Sequence, residues 1–375
     1  MKRRKFLSGA AAGGVVAGAA LLASCGKEEA PKQAAAPAIS EGIKELKMVT
    51  TWPKNFPGLG TGAERLAQRI TTMSDGKLQV KVYAGGELVP PFQSFDAVSE
   101  GKAELSHGVS YYWQGKSPAF NFFAAVPYGM NAAEHYAWML WGDGLKLYTE
   151  LCDNFGVVPF MRASTGVQMG GWYRKEMKSM DDFKGLKFRM PGLGGEVLRK
   201  LGATVVNLPG GEIFPALQAG TIDGTEWVGP WNDLAFGFYK VAKFYYWPGF
   251  HEPNTTGEVL VNKKVWSGLS KQHQEIIAAA IQAESTIEKA EFDYKSADAL
   301  DALINKHGVQ LRQYSDEMMR GFYQAAAEVV AEIGNKDPFT KKVYDNFMAA
   351  RARAIGWSKL GEQGFMNARS ANFKT

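Results

Sequence analysis

Residues 271–306 contain neither proline nor glycine, and they set Ile276, Ile277, Ala280, Ile281, Ala283 and Ile287 at helical spacing. At 1.5 Å per residue, a helix of about 35 residues extends roughly 50 Å, longer than one small domain is wide. Such a helix must bridge two bodies or lie along both. A coiled coil is the other outlet for a long helix, but no heptad is sustained here. The chain length of 375 residues agrees with two bodies, at about 150 residues per domain. With 46% hydrophobic and 22% charged residues there is material for two cores. Disordered, collagen-like and disulfide-scaffold chains are excluded.

The N-terminus reads as an address followed by an anchor. Lys2, Arg3, Arg4 and Lys5 precede a Gly/Ala-rich apolar run over residues 6–22, the layout of an export signal. Arg3-Arg4 followed by Lys5-Phe6-Leu7 resembles a twin-arginine signal, and Leu22-Ala23-Ser24-Cys25 resembles a bacterial lipoprotein box. Residues 1–24 are therefore expected to be an export signal, Cys25 the lipid-bearing residue, and residues 25–43 a flexible tether. A transmembrane anchor is the competing reading, disfavoured by a run short of Leu, Ile and Phe. The formal charge of +5 comes largely from the signal: without its four basic residues, 39 basic face 38 acidic side chains. That balance offers no electrostatic case for nucleic acid. If Cys25 carries lipid, the other cysteine, Cys152, has no partner, and a buried inert thiol is expected.

The body alternates strand and helix patterns. Residues 46–52, 78–83 and 103–109 read as strands, with helical spacing at 62–73 and 91–98 between them, a βαβαβ order whose default is a parallel sheet. A second round reads strands at 157–161, 169–173, 186–190, 204–207 and 224–228, with helices at 194–201 and 213–218. The rounds echo each other: Val82-Tyr-Ala-Gly-Gly-Glu-Leu88 against Val206-Asn-Leu-Pro-Gly-Gly-Glu-Ile213. Residues 316–333 and 339–354 are further amphipathic helices. The expectation is two similar α/β lobes, a long bridging helix and a helical C-terminus.

Catalytic constellations are sparse. The five histidines, His107, His135, His251, His273 and His307, form no metal-ligand pair, and there is no cysteine pair, so zinc is not expected. Gly192-Leu-Gly194-Gly195 follows a strand and opens a helix, but the third glycine of a dinucleotide loop is misplaced and no Walker lysine follows. The helix N-terminus there is suited to an anion. Trp52, Tyr111, Tyr112, Trp113, Trp172, Trp227, Trp231 and Trp247 fall around strand ends, where open α/β sheets bind ligands.

Three segments carry a family resemblance: Phe188-Arg189-Met190-Pro191, Gly220-Thr-Ile-Asp-Gly-Thr-Glu-Trp227 and Trp231-Asn232. With Leu-Lys-Phe-Arg about 30 residues ahead of Gly-x-Ile-Asp-Gly, residues 44–370 resemble the solute-binding proteins of tripartite ATP-independent periplasmic (TRAP) transporters. Glu226-Trp227 and the long C-terminal extension resemble the branch that binds 2-oxo acids and related monocarboxylates with a bridging cation. The resemblance implies a two-lobed periplasmic solute-binding fold, each lobe a mostly parallel sheet flanked by helices. Lobe I would comprise residues 44–163 plus 257–284, and lobe II residues 164–256 plus 285–375. It implies no enzyme activity, a small organic acid as ligand, TRAP permease subunits as partners, and a possible homodimer through the C-terminal helices.

The chemistry is self-consistent. A carboxylate drawn into a dry cleft needs a fixed counter-charge, and Arg189 is suited to a bidentate fork. Asn232, Tyr112 and Gln168 are the other expected ligand contacts. Glu226, Glu252, Gln168 and the Trp227 carbonyl are the expected cation ligands, all oxygens, which favour Na⁺ or Ca²⁺. Two competing classes are an exported metal-dependent α/β enzyme acting on a small carboxylate and a ligand-sensing module. The enzyme would need a general base, and the glutamates here are committed to a cation.

Overall fold

A computed structural model describes residues 42–372; the expected export signal, Cys25 and nearly all of the tether lie outside the described residues. The chain begins with β1 (Lys44–Thr50), α1 (Leu59–Met73), β2 (Leu78–Tyr83), α2 (Ser94–Ser99), β3 (Leu105–Gly108), α3 (Ala132–Leu140), α4 (Gly144–Asp153) and β4 (Val157–Ser164). It continues with β5 (Gly171–Tyr173), β6 (Lys187–Arg189), α5 (Gly192–Lys200), β7 (Thr204–Val206), α6 (Gly210–Ala219), β8 (Gly224–Thr225), α7 (Pro230–Phe236) and β9 (Phe244–Trp247). Then come β10 (Thr256–Asn262), α8 (Lys263–Ser267), α9 (Lys271–Asp301), β11 (Gln310–Gln313), α10 (Asp316–Gly334), α11 (Pro338–Ser358) and α12 (Glu362–Asn372).

These strands make two sheets, ordered β2-β1-β3-β10-β4 and β11-β9-β5-β8-β6-β7. In the first, β1 pairs in parallel with β2 and β3, while β10 runs against both of its neighbours. In the second, β5 is the reversed strand, against β8 and β9. Both reversed strands, β10 and β5, follow a crossing from the other sheet, whereas β11, reached through α9, runs parallel to β9. The chain leaves the first sheet at β4 and enters the middle of the second at β5. It returns from β9 into the middle of the first at β10, which is buried along its whole length.

Local sequence explains the elements. Helix α1 buries Ala63, Leu66, Ala67 and Ile70 on one face. The Ser270 side chain accepts from the His273 amide and starts α9; Ser315 and Asp337 do the same for α10 and α11. Helix α9 packs Ile277 and Ile281 among Met48, Leu105 and Val259 of the first sheet. Further along, its Phe292 meets Trp231 of α7 edge-on at 5.3 Å between ring centroids. One continuous element thus touches both lobes. Cys152 closes α4 fully buried, and burial pushes its thiol well up.

Candidate functional site

The two crossings between sheets run side by side, and the site forms on them. The Gln168 amide donates to the Glu252 carbonyl at 3.1 Å, and the Gly249 amide donates to the Gln168 carbonyl at 3.1 Å. Any Cβ on Gly249 would collide with that Gln168 carbonyl, so only glycine permits this approach. From the second sheet, the Met169 amide donates to the Val228 carbonyl at 3.1 Å and the Glu226 amide to the Arg189 carbonyl at 3.2 Å. Residues 168–169, 189, 226–228 and 249–252 are therefore held in one backbone-bonded cluster. Strand β8 stops after two residues, shorter than the expected 224–228, because Glu226 and Trp227 turn out of the ladder into this cluster.

Arg189 ends β6 at 1% exposure. Its Nε donates to the Leu208 carbonyl at 3.1 Å, and its Nη1 to the Glu226 carbonyl at 3.1 Å and Glu226 Oε1 at 2.5 Å. Its guanidinium lies over the Trp227 ring at 5.1 Å. Nη2 alone is without a partner. The expected two-nitrogen fork toward a ligand is therefore replaced by a single free nitrogen, because Nε and Nη1 are spent on fixing the guanidinium. Burial pulls the Arg189 pKa down, but Glu226, the nearby tyrosines and Glu252 together hold it above the ordinary value.

The carboxylates come next. Glu226 Oε2 has no hydrogen-bond partner and lies 3.4 Å from His251 Nε2. Glu252 accepts from the Thr255 hydroxyl. Burial, and then the charge of Glu226, push the Glu252 carboxyl well up. Gln168 Nε2 donates to Thr255 Oγ1 at 2.9 Å and Thr165 Oγ1 at 3.1 Å, which leaves Gln168 Oε1 buried and unpartnered. Ligand atoms of Glu226, His251 and Glu252 all lie within 4.8 Å of one another. Unpaired buried acceptors are costly, and a cation among them would satisfy several at once. The oxygens of Glu226, Glu252 and Gln168 fit a hard ion.

The other expected residues fall nearby. Asn232, at the start of α7, donates its amide to the Pro57 carbonyl at 3.1 Å, leaving Oδ1 unpartnered. Tyr112 follows β3 on a short 3₁₀ turn, and burial pushes its hydroxyl up to about 12 against the pull of Arg189. A narrow cavity of about 20 Å³ adjoins the cluster, lined by its Gln168, Trp227 and Val228 and, beside them, by Tyr111, Tyr112 and Thr255. The expected aromatic cluster divides. Trp52 and Trp227 meet edge-on at 6.1 Å beside the cavity. Trp113 and Trp172 turn into the core, their indole N–H groups donating to Glu258 and Asp233. Trp231 packs on α9, and Trp247 is 38% exposed.

The glycines of residues 192–195 serve packing rather than a phosphate loop: a Cβ on Gly194 would lie 2.7 Å from the His251 Cβ. His251 itself went unread as a site residue, although it sits beside Glu252 in the chain. Nothing local marks Thr255 or Arg162 either; the second crossing brings in Thr255, and β4 carries Arg162 to the cavity.

The profile of bacterial extracellular solute-binding protein family 7 (DctP) matches residues 48–337. A monocarboxylate 2-oxoacid-binding periplasmic protein of Nostoc sp. is 40% identical over 374 residues, covering 99% of this chain and 100% of the relative. A TRAP transporter solute-binding protein of Bordetella bronchiseptica superimposes with a TM-score of 0.86 at 37% identity, covering 88% of this chain and 98% of that one. It is described as a mixed-occupancy dimer with copurified calcium and picolinate. A TRAP solute-binding protein of Pseudoalteromonas atlantica with bound sodium and pyruvate gives 0.85 at 35% identity, covering 88% of this chain and 100% of that one.

Proposed function

The chain belongs to bacterial extracellular solute-binding protein family 7, the solute receptors of TRAP transporters, and from that premise we propose that it binds a small 2-oxo acid or related monocarboxylate through a bridging Na⁺ or Ca²⁺. One observation carries the reading. A fixed, buried guanidinium keeps one nitrogen free, and in the same backbone-bonded cluster two acceptors, Glu226 Oε2 and Gln168 Oε1, are unpartnered. An anion satisfies the first and a cation the other two, so the pair binds better together than apart. Arg189 Nη2 meets the ligand carboxylate, with Tyr112 and Asn232 beside it. Glu226, Glu252, Gln168 and the Trp227 carbonyl hold the ion, which neutralises both glutamates and polarises the ligand's oxygens. His251, with Nε2 3.4 Å from Glu226 Oε2, stands beside the same oxygen that meets the ion.

The receptor releases its ligand to the membrane permease and performs no chemistry on it. In this reading Glu226 is held by Arg189 and Glu252 by Thr255, and the ion takes up their remaining oxygens, so neither serves as a general base. Cys25 carries the lipid that keeps the receptor at the membrane. The end of α11 and α12 present Trp357, Leu360 and Phe365 at 73%, 77% and 65% exposure, a face suited to a second copy of the chain. Calorimetry with pyruvate, with Na⁺ or Ca²⁺ present and after chelation, tests the proposal. Binding that needs the ion supports it; no heat with any 2-oxo acid in either ion refutes it. A native mass spectrum reports ligand, ion and subunit number together.

A further inference from the structure

A second buried arginine lines the cavity. Arg162, on β4, is 1% exposed and pairs with Glu288 of α9, equally buried. One turn earlier, Glu284 is taken by Arg65 at 2.7 Å and Arg69 at 3.7 Å, so Glu288 serves Arg162. Gly62 of α1 makes room for the pair: a Cβ there would lie 2.7 Å from Glu288 Oε2. Arg162 Nε remains buried without a partner. Trp52, Leu59, Val109, Ala163 and Val228 give the cavity an apolar side, while Thr165, Gln168 and Thr255 line the side toward the charged cluster.

A ligand whose head lies against Arg189 extends its tail into this space, because the cavity and the charged cluster share Gln168, Trp227 and Val228. The tail then meets apolar side chains and one ion pair of zero net charge. An alkyl tail covers that wall at no electrostatic cost. A tail carboxylate would be stripped of water against Arg162, whose charge is already spent on Glu288, and would have that like charge just behind it in a dry site.

We propose that Glu288 sets the charge selectivity of the tail pocket: by neutralising Arg162 it admits uncharged tails and turns away a second carboxylate. This rests on the reading of the site as a 2-oxo acid receptor. Without Glu288, Arg162 would be an unpaired buried cation, and a tail carboxylate is the partner that fits it.

The test compares 2-oxopentanoate with 2-oxopentanedioate, acids of equal chain length, by calorimetry in Ca²⁺ and in Na⁺. Wild type is expected to favour the monoacid by about 100-fold or more, as a like charge in a dry interface costs several kcal/mol. Glu288→Gln should narrow that ratio at least tenfold by tightening the diacid, and Arg162→Gln added to it should abolish the gain. A ratio within threefold of wild type in Glu288→Gln, a gain that survives in the double variant, or a wild type indifferent to the second carboxylate each overturns the proposal. If Glu288→Gln has no cooperative melt alone, the diacid should restore one and the monoacid should not; a melt that ignores the diacid overturns it equally. A wild type that binds neither acid removes the 2-oxo acid reading and the filter with it. Monoacid binding without a diacid gain removes the filter alone.

Discussion

Arg189→Ala removes one side chain with two separable consequences. In the protein without ligand, Arg189 holds Glu226 through a 2.5 Å contact, and both side chains are 1% exposed. Its loss leaves Glu226 charged and buried, with His251 Nε2 at 3.4 Å. Breaking a buried pair in this way costs about 3–5 kcal/mol. For a chain of this size the melting temperature should fall by roughly 5–10 °C, at about 2 °C per kcal/mol. Added Ca²⁺ should return part of that loss, because an ion beside Glu226 replaces the missing positive charge. On the ligand side, the carboxylate loses its fixed donor in a dry site. A similar 3–5 kcal/mol corresponds to roughly two to nearly four decades of affinity. Arg189→Lys should recover about tenfold at most, since one ammonium cannot hold the Leu208 carbonyl and Glu226 and still reach the ligand. Calorimetry with pyruvate and differential scanning of both variants, with and without Ca²⁺, read the two effects separately. If Arg189→Ala binds within threefold of wild type, Arg189 is structural and the anion lies elsewhere.

Glu226→Gln keeps an acceptor for Arg189 but weakens the ion, so pyruvate affinity should drop more than tenfold at low ion and recover in excess Ca²⁺; titrations at several ion concentrations decide it. Glu258, buried on β10, accepts from Trp113 at 2.5 Å and from the Tyr148 hydroxyl, and burial raises its pKa from 4.5 to about 8 despite Trp113. Because the folded pKa is the higher one, its contribution is intact below about pH 4.5 and is lost as pH rises toward 8, by at most roughly 5 kcal/mol. Glu258→Gln cannot ionise, so its melting temperature relative to wild type should climb between pH 5 and pH 8; a constant gap would mean that Glu258 is charged in the fold. Cys25→Ala should be exported yet recovered in the soluble periplasmic fraction, whereas wild type stays with membranes; a soluble wild type without lipid on Cys25 counts against the anchor.

Much of this architecture is local and therefore legible in the chain. The uninterrupted helix over residues 271–306 appears as α9, Lys271–Asp301, continued by a short π-helical turn over Ala302–Lys306. Strand β2 falls on the expected residues 78–83, and α10 within a residue of its expected end. Periodicity and capping act over a few residues, so they survive in sequence. The Leu-Lys-Phe-Arg and Gly-x-Ile-Asp-Gly segments likewise marked β6 and the turn into Glu226. Strands β9 and β10 went unread: Phe244-Tyr-Tyr-Trp247 is too short to alternate, and Thr256–Asn262 is buried on both faces, so period two vanishes.

What tertiary structure alone decided is which polar groups become partners. His251 joins Glu226, and Arg162 finds Glu288 across 126 positions of chain, only because two crossings and a long helix converge on one cleft. The same convergence spends two of the Arg189 nitrogens on Leu208 and Glu226 and leaves one free. Sequence determines which charges the chain owns and which segments can present them. The fold determines which of those charges lose their water together, and in a dry cleft that sets their energies.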